Sequence, residues 1–270
     1  TKSTTLLPQE GNPPPRVTRV SEWGLINWED VPNAGCQAMA EAVRQVKAQT
    51  AVPLIGSIGP LRSPEQQREV ALVFEAAGAD ALELNFKWAA TFEGNLLGRV
   101  VRAVRDAVRI PVIVKLPPFV GDLVESARVA EAAGADAVTA INSVFPAMRI
   151  DVRRQQPALS TGFGGLSGQP VLPLAVAAIY RLYQTVRIPI LGSGGATTGE
   201  DALQMILAGA QAVQLCTAPM LEGPAAFTRI QAELDSLLAE LGLGSAEACV
   251  GLAHRRPLYR PDSATVNRPV

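Results

Sequence analysis

The chain is poor in the residues that most often carry chemistry. Among its 270 residues there is one histidine, His254, and three cysteines, Cys36, Cys216 and Cys249, spaced far apart. A lone histidine beside a basic, proline-containing tail excludes histidine-based acid–base catalysis in the main body. Three scattered cysteines exclude a disulfide framework or a zinc site, so no metal is expected, and they point to a reducing compartment. All three read as packing residues, Cys216 as a buried strand end. No apolar run approaches the ~20 residues that span a bilayer, and no signal peptide opens the chain. A formal net charge of −1 and a pI near 6.0 give no electrostatic case for nucleic acid or a membrane surface. These absences leave a soluble cytoplasmic protein as the expectation.

What is present is apolar and rhythmic. The chain is 48% hydrophobic and 18% charged. After a loop at Gly11-Asn12-Pro13-Pro14-Pro15 and an extended stretch, Trp23 to Asn27, a helix is expected over Cys36 to Ala48. From Val52 a unit recurs: a proline, a short apolar strand, a helix ending in Ala-Gly-Ala, then another strand. The Ala-Gly-Ala runs fall at 77–79, 133–135 and 208–210, where a helix end needs a left-handed residue. Strands are expected at 53–58, 80–85, 111–115, 136–142, 188–192 and 212–216, and residues 1–6 offer a seventh. Helices are expected from Pro64, Leu123 and Asp201 and over 93–108, 172–185 and 224–241. Alternating strands and helices at this length predict a (β/α)₈ barrel, residues 1–254, followed by a tail, 255–270. A first strand is not visible, and a truncated start is the expectation. Residues 144–170 read as a long loop inserted over the site.

Polar residues collect at the strand ends, where such barrels carry their sites. Asn85, Lys115 and Asn142, with Ser143, end three strands in turn. Buried inside a packed barrel they would be costly, so they read as a polar ring at the mouth. Gly192-Ser193-Gly194-Gly195 ends another strand, and Cys216-Thr217-Ala218 ends the next. Glycine turns and free amides at those positions suit a phosphate. A cation, two carboxamides and a phosphate site fit a phosphorylated flat cofactor. Flavin mononucleotide (FMN) fits, with Lys115 near its pyrimidine end, and a phosphosugar stays open.

At this point the residues resemble the dihydroorotate dehydrogenase family, its class 1 branch above all. The motifs are Thr1-Lys2-Ser3-Thr4-Thr5, Gly11 to Arg16, Ile26-Asn27, Val31-Pro32-Asn33, Glu83-Leu84-Asn85 and Val114-Lys115-Leu116. They continue through Ile141-Asn142-Ser143, Gly164-Gly165-Leu166-Ser167-Gly168, Gly192 to Gly195 and Cys216-Thr217-Ala218. The resemblance implies an FMN-dependent oxidation of a ring C–C single bond, with hydride passing to the flavin. It implies that Lys2, Ser3, Asn85, Lys115, Ser143, Gly165, Gly194, Gly195, Thr217 and Ala218 hold FMN. Asn27, Asn85 and Asn142 would hold the pyrimidine edge of a small-molecule substrate. A homo-oligomer, a dimer at least, is implied too. Since the chain has no cysteine cluster, any iron–sulfur centre would sit on a separate electron-transfer partner.

The chain departs from the family pattern at two loops. The stretch that should carry a catalytic Cys or Ser reads Asn85-Phe86-Lys87-Trp88-Ala89-Ala90, with Trp88 at the base position and Ala90 in place of a substrate-binding asparagine. An indole accepts no proton. Trp88 then reads as a packing residue or as a stacking platform for a flatter substrate, and Lys87 as a solvated charge or a replacement acid–base group. The loop Trp28-Glu29-Asp30 adds two negative charges where a substrate carboxylate would sit. Glu29 and Asp30 read as exposed acids, as a base, or as a hold on a cationic group. The expectation is an FMN oxidoreductase acting on a ring other than dihydroorotate. The alternatives are authentic dihydroorotate dehydrogenase with another base, and a non-catalytic FMN-binding protein.

Overall fold

In a computed structural model the structure describes residues 1–59, 63–86, 95–118 and 122–255. Six parallel strands form one sheet: β3 (Ile55–Ile58), β4 (Ala81–Asn85), β5 (Val112–Leu116), β6 (Ala137–Ala140), β11 (Ile190–Ser193) and β12 (Ala212–Gln214). Their order is β12-β11-β6-β5-β4-β3. Helices α1 (Cys36–Lys47), α2 (Pro64–Ala76), α3 (Leu96–Arg105), α4 (Leu123–Ala132), α5 (Leu172–Tyr183), α6 (Gly199–Ala208) and α8 (Ala225–Glu240) alternate with them. Each lies within a few residues of its expected bounds. A further short helix, α7 (Thr217–Glu222), follows β12 and has no counterpart in the sequence reading.

The sheet is curled. In a flat sheet, β4 and β12 would lie four strand spacings apart, roughly 19 Å. Yet Gln214 Nε2 on β12 donates to Glu83 Oε2 on β4 at 2.7 Å. Residues 1–4 run beside β3 as a further stave: Thr4 N donates to Ser57 O at 2.9 Å, and Gly59 N donates to Thr4 O at 3.1 Å. Among the described residues no strand joins that segment to β12. The main core lies between the sheet and its helices and includes Phe74, Leu82, Leu84, Val114 and Ile179, all buried.

A repeated acidic brace holds the strand starts, opposite the mouth. In both Glu75-Ala-Ala-Gly-Ala-Asp80 and Glu131-Ala-Ala-Gly-Ala-Asp136, the aspartate accepts from the start of the preceding strand. Asp80 Oδ2 takes the Leu54 amide at 2.6 Å and Asp136 Oδ2 the Val112 amide at 2.8 Å. Each also meets a cation, Lys47 at 2.8 Å and Arg105 at 2.7 Å. The glutamates reach forward: Glu75 Oε1 accepts the Arg109 and Ile110 amides, and Glu131 Oε1 those of Arg187 and Ile188.

Residues 144–170 are not a plain loop, and this corrects the sequence reading. They hold β7 (Val144–Ala147), the short hairpin β8 (Ile150–Asp151) and β9 (Gln156–Pro157), and β10 (Gly164–Gly168). With β1 (Val17–Ser21) and β2 (Gly24–Asn27) they build a four-stranded antiparallel sheet, order β1-β2-β10-β7. Glycine hides β10 from propensity, because it packs no side chain in a strand. Here the glycines permit close approach. A Cβ at Gly164 would lie 2.8 Å from the Asn27 carbonyl oxygen.

The Lys47 ammonium and then the Leu54 amide hold the Asp80 carboxyl below its ordinary range. A depressed folded pKa stabilises the fold above the ordinary aspartate value and is lost as pH falls through the folded one. Asp80→Asn should therefore lower the melting temperature at neutral pH. The gap to wild type should narrow as acid protonates Asp80, which thermal melts across an acid series will read.

Candidate active site at the barrel mouth

Strand alternation places Glu83 and Asn85 on the same inward face of β4, and register sets Asn85 beside Lys115 and Lys115 beside Thr139. The Lys115 ammonium turns inward. Its Nζ donates to Gln214 Oε1 at 3.1 Å and lies 3.7 Å from Glu83 Oε1. Glu83 Oε2 accepts from Thr139 Oγ1 at 2.9 Å as well as from Gln214. Glu83 and Thr139 are buried, and Lys115 is half-buried above them. Each charged group thus has partners, the condition for holding charge inside a barrel. Glu83, Thr139 and Gln214 were missed as site residues, although Glu83 stands two residues before Asn85 and shares its face.

Carboxamides crown this layer. Asn142 Nδ2 donates to Asn85 Oδ1 at 2.7 Å, and Asn85 Nδ2 donates to Ser3 Oγ at 3.2 Å. Ser3 in turn pairs with Ser57 at 2.9 Å. Above them lies a cavity of about 120 Å³ lined by Lys2, Ser3, Asn27, Glu29, Asn85, Asn142 and Ser143, with Trp28, Val31 and Phe145. Residues read as cofactor-binding and as substrate-binding therefore share one hollow. The Trp28 and Phe145 rings pack with centroids 5.0 Å apart on its wall.

Not every expected residue gathers there. Asp30 is exposed, outside the cavity lining, with its backbone in the left-handed region (φ 55°). The Trp28 and Glu29 carbonyls accept from Asn12, and the Asp30 side chain stands in solvent. Glu29 does face the cavity, but its carboxylate meets Lys2 Nζ at 3.4 Å. Lys87, Trp88 and Ala90 lie outside the described residues. Cys216, expected to be buried, is exposed, because it leaves β12 at the edge that no described strand covers.

The glycine turns complete the mouth. Parallel pairing sets Ser193 beside Gln214, so Gly194-Gly195 and Thr217-Ala218 emerge side by side. Gly194 and Gly195 have φ of 115° and 102°, which side chains rarely adopt. A Cβ on Gly195 would lie 2.7 Å from Leu172 N and 2.8 Å from Gly168 O. Among the described residues, the amides of Gly195, Ala196, Thr217 and Ala218 meet no protein acceptor. Thr217 Oγ1 donates to Ser167 Oγ at 3.1 Å, and Gly165 pairs with Asn27 across β10 and β2. One continuous wall therefore runs from the glycine turns to the carboxamide cavity. It offers open amides at one end and planar donors and acceptors at the other, a fit to a phosphorylated flat group.

Comparisons with known proteins give the family. The family model described as dihydroorotate dehydrogenase matches residues 1–238. The chain belongs to the dihydroorotate dehydrogenase family. It is 41% identical over 263 residues to the catalytic subunit of dihydroorotate dehydrogenase B (NAD(+)) of Methanothermobacter thermautotrophicus, covering 94% of this chain and 85% of that protein. The subunit of the same name from Pyrococcus abyssi is 40% identical over the same shares. That of Geobacillus kaustophilus is 37% identical, over 93% of this chain and 82% of its own. Among solved structures, dihydroorotate dehydrogenase of Eimeria tenella in complex with ferulenol superposes with a TM-score of 0.81. At 24% identity, over 94% of this chain and 78% of that one, it supports the barrel fold alone. The chain is thus an oxidoreductase of a family that acts on CH–CH bonds and whose cofactor is FMN. The expectation of a substrate other than dihydroorotate finds no support among these relatives, whose names favour the alternative reading.

Two outcomes test the site. Gly195→Ala should abolish flavin retention on purification, read from visible absorbance, because the added methyl group meets backbone that cannot yield. Lys115→Met should lower unfolding free energy in urea by about 1–3 kcal/mol, since it leaves Glu83 buried without its cation.

Proposed function

We propose that this chain is the catalytic unit of a dihydroorotate dehydrogenase, oxidising the ring CH–CH bond of dihydroorotate to give orotate. One observation carries the reading: Asn27, Asn85 and Asn142 converge on one cavity, and strand register joins its Asn27 wall to β10, which reaches the glycine turns with their unpaired amides. When bound, FMN would accept the hydride that the ring loses. Gly194, Gly195, Thr217 and Ala218 would hold its phosphate by backbone amides. Lys2, Ser3, Asn85, Lys115, Ser143 and Gly165 would meet the rest of it. Lys115 would face the pyrimidine end and offset negative charge there, while Glu83 and Gln214 hold its ammonium in place. Asn27, Asn85 and Asn142 would orient the substrate's amide edges through paired donors and acceptors. Trp28, Val31 and Phe145 would exclude water from one side of the ring.

The relatives' names describe a catalytic subunit, so the proposal includes a separate electron-transfer subunit as partner. It also includes a cytoplasmic homodimer. Among the described residues no helix is long and apolar enough to cross a membrane.

A second reading, a different ring as substrate, is favoured by the stretch Asn85 to Ala90. On the resemblance, the Trp88 indole falls at the position of a proton-accepting Cys or Ser. General bases contribute about 10²–10⁴-fold, so the choice matters to rate. Anaerobic mixing of the flavin-loaded protein with dihydroorotate or dihydrouracil separates the readings. Bleaching of the flavin by dihydroorotate is the expected result. Bleaching by dihydrouracil alone would move the substrate to a ring without a carboxylate. Reduction by dithionite alone would reduce the chain to a flavin-binding protein.

A further inference from the structure

The anion-accepting end of the site is built from two separate arms. Gly195 and Ala196 lead into α6, and Thr217 and Ala218 open α7. On the first arm the amides that follow are already taken. Asp201 Oδ2 accepts from Thr197 N at 2.8 Å and from Thr198 N at 3.0 Å, and Glu233 Oε2 accepts from Gly199 N at 2.8 Å. An anion there therefore depends on how two short pairs of open amides are spaced. The α6 arm is fixed against α8, because a Cβ on Gly199 would collide with the Leu234 amide nitrogen. The α7 arm is a helix of six residues that ends at Glu222.

One side chain of α8 joins the two arms. Arg229 Nη2 donates both to Thr197 O, at 2.9 Å, and to Glu222 Oε1. Its Nε donates to Glu222 Oε2 at 3.2 Å, and its Nη1 to Glu233 Oε1 at 2.7 Å. The guanidinium also lies 6.0 Å from the centre of the Trp23 ring. A planar fork can meet two carboxylates and a backbone carbonyl at once, whereas an ammonium cannot. The side chains of Arg229, Glu222 and Glu233 are 34%, 27% and 39% exposed, so these ion pairs add little to overall stability. Their consequence is geometric.

We propose that Arg229 is a positioning residue for the cofactor phosphate: by tying Glu222 to Thr197 it sets the spacing between the α6 and α7 amide pairs. The inference rests on the reading that FMN binds here. Without Arg229, α7 is untied from Thr197 and the two amide pairs no longer converge on one anion. Losing one hydrogen bond to a charged group costs about ten- to a hundredfold in binding. A flavin without a phosphate makes no such bond and loses nothing by the change. Charge acting alone gives a different pattern. Arg229 and Glu222 carry opposite signs, so their removal would then act in opposite directions on a phosphate, whereas a spacing role makes both removals weaken it.

Titration of the flavin-free full chain with FMN and with riboflavin, followed by quenching of flavin fluorescence, tests this. Arg229→Met should weaken FMN binding by about tenfold or more and change riboflavin binding by less than about twofold. Arg229→Lys keeps the charge but cannot span the arms, and its FMN binding should stay weak. Glu222→Ala unties α7 while leaving Arg229 on Glu233, and it should weaken FMN binding too; this variant decides the matter with FMN alone if Arg229→Met does not fold. An equal loss for both flavins would overturn the inference, since that is damage to the fold. So would unchanged FMN binding in Arg229→Met, full recovery in Arg229→Lys, or unchanged or tighter FMN binding in Glu222→Ala. Failure of the wild-type chain to bind FMN would remove the FMN reading itself, and this inference with it.

Discussion

The barrel mouth depends on one buried carboxylate. Glu83 joins β4 to β6 through Thr139 and to β12 through Gln214, and it stands beside the Lys115 ammonium of β5. Four staves thus share a single side chain. A lone charge in that position would be prohibitive, and a lone lysine above it equally so. Each is tolerable because the other is there and because Gln214 and Thr139 fill the remaining hydrogen-bonding capacity. The hub therefore does two things at once. It ties β4 to β12 across the curled sheet, and it holds the Lys115 ammonium against Glu83 and Gln214.

Everything above the hub inherits its geometry. Asn85 projects from the same strand face, Asn142 leans on Asn85, and Ser3 links that pair to the stave formed by residues 1–4. The antiparallel sheet of β1, β2, β10 and β7 then closes one side. It brings Asn27 to Gly165 and Ser167 to Thr217. A planar binding face and an anion-accepting turn become neighbours through strand register rather than through long flexible side chains.

Much of this was legible in the residues. The alternation of apolar strands with helices ending in Ala-Gly-Ala read through to the barrel, because both signals are local. Polar residues at strand ends read through to the mouth, because a packed interior cannot hold them unpaired. The glycine-rich strand β10 was not legible, since its pairing depends on close backbone approach that composition does not display. The exposure of Cys216 was missed because an apolar-looking strand end says nothing about whether a neighbour covers it. Glu83 was quoted within a motif but not assigned a role. Its importance arises from Gln214, 131 positions away and brought near only when the sheet curls. The Glu29–Lys2 pair was half legible: the two negative charges of the loop were noticed, but not that a cation sat opposite one of them.

The paired braces of Glu75 with Asp80 and Glu131 with Asp136 bear on how such a molecule changes over time. They anchor strand entries and connecting turns at the end of the barrel away from the carboxamide cavity, using backbone amides that any non-proline residue supplies. Mechanical integrity and chemical choice are thereby assigned to opposite poles. A loop such as 28–30 can exchange one side chain for another while the frame persists, so a lineage can explore new substrates without first learning to fold again.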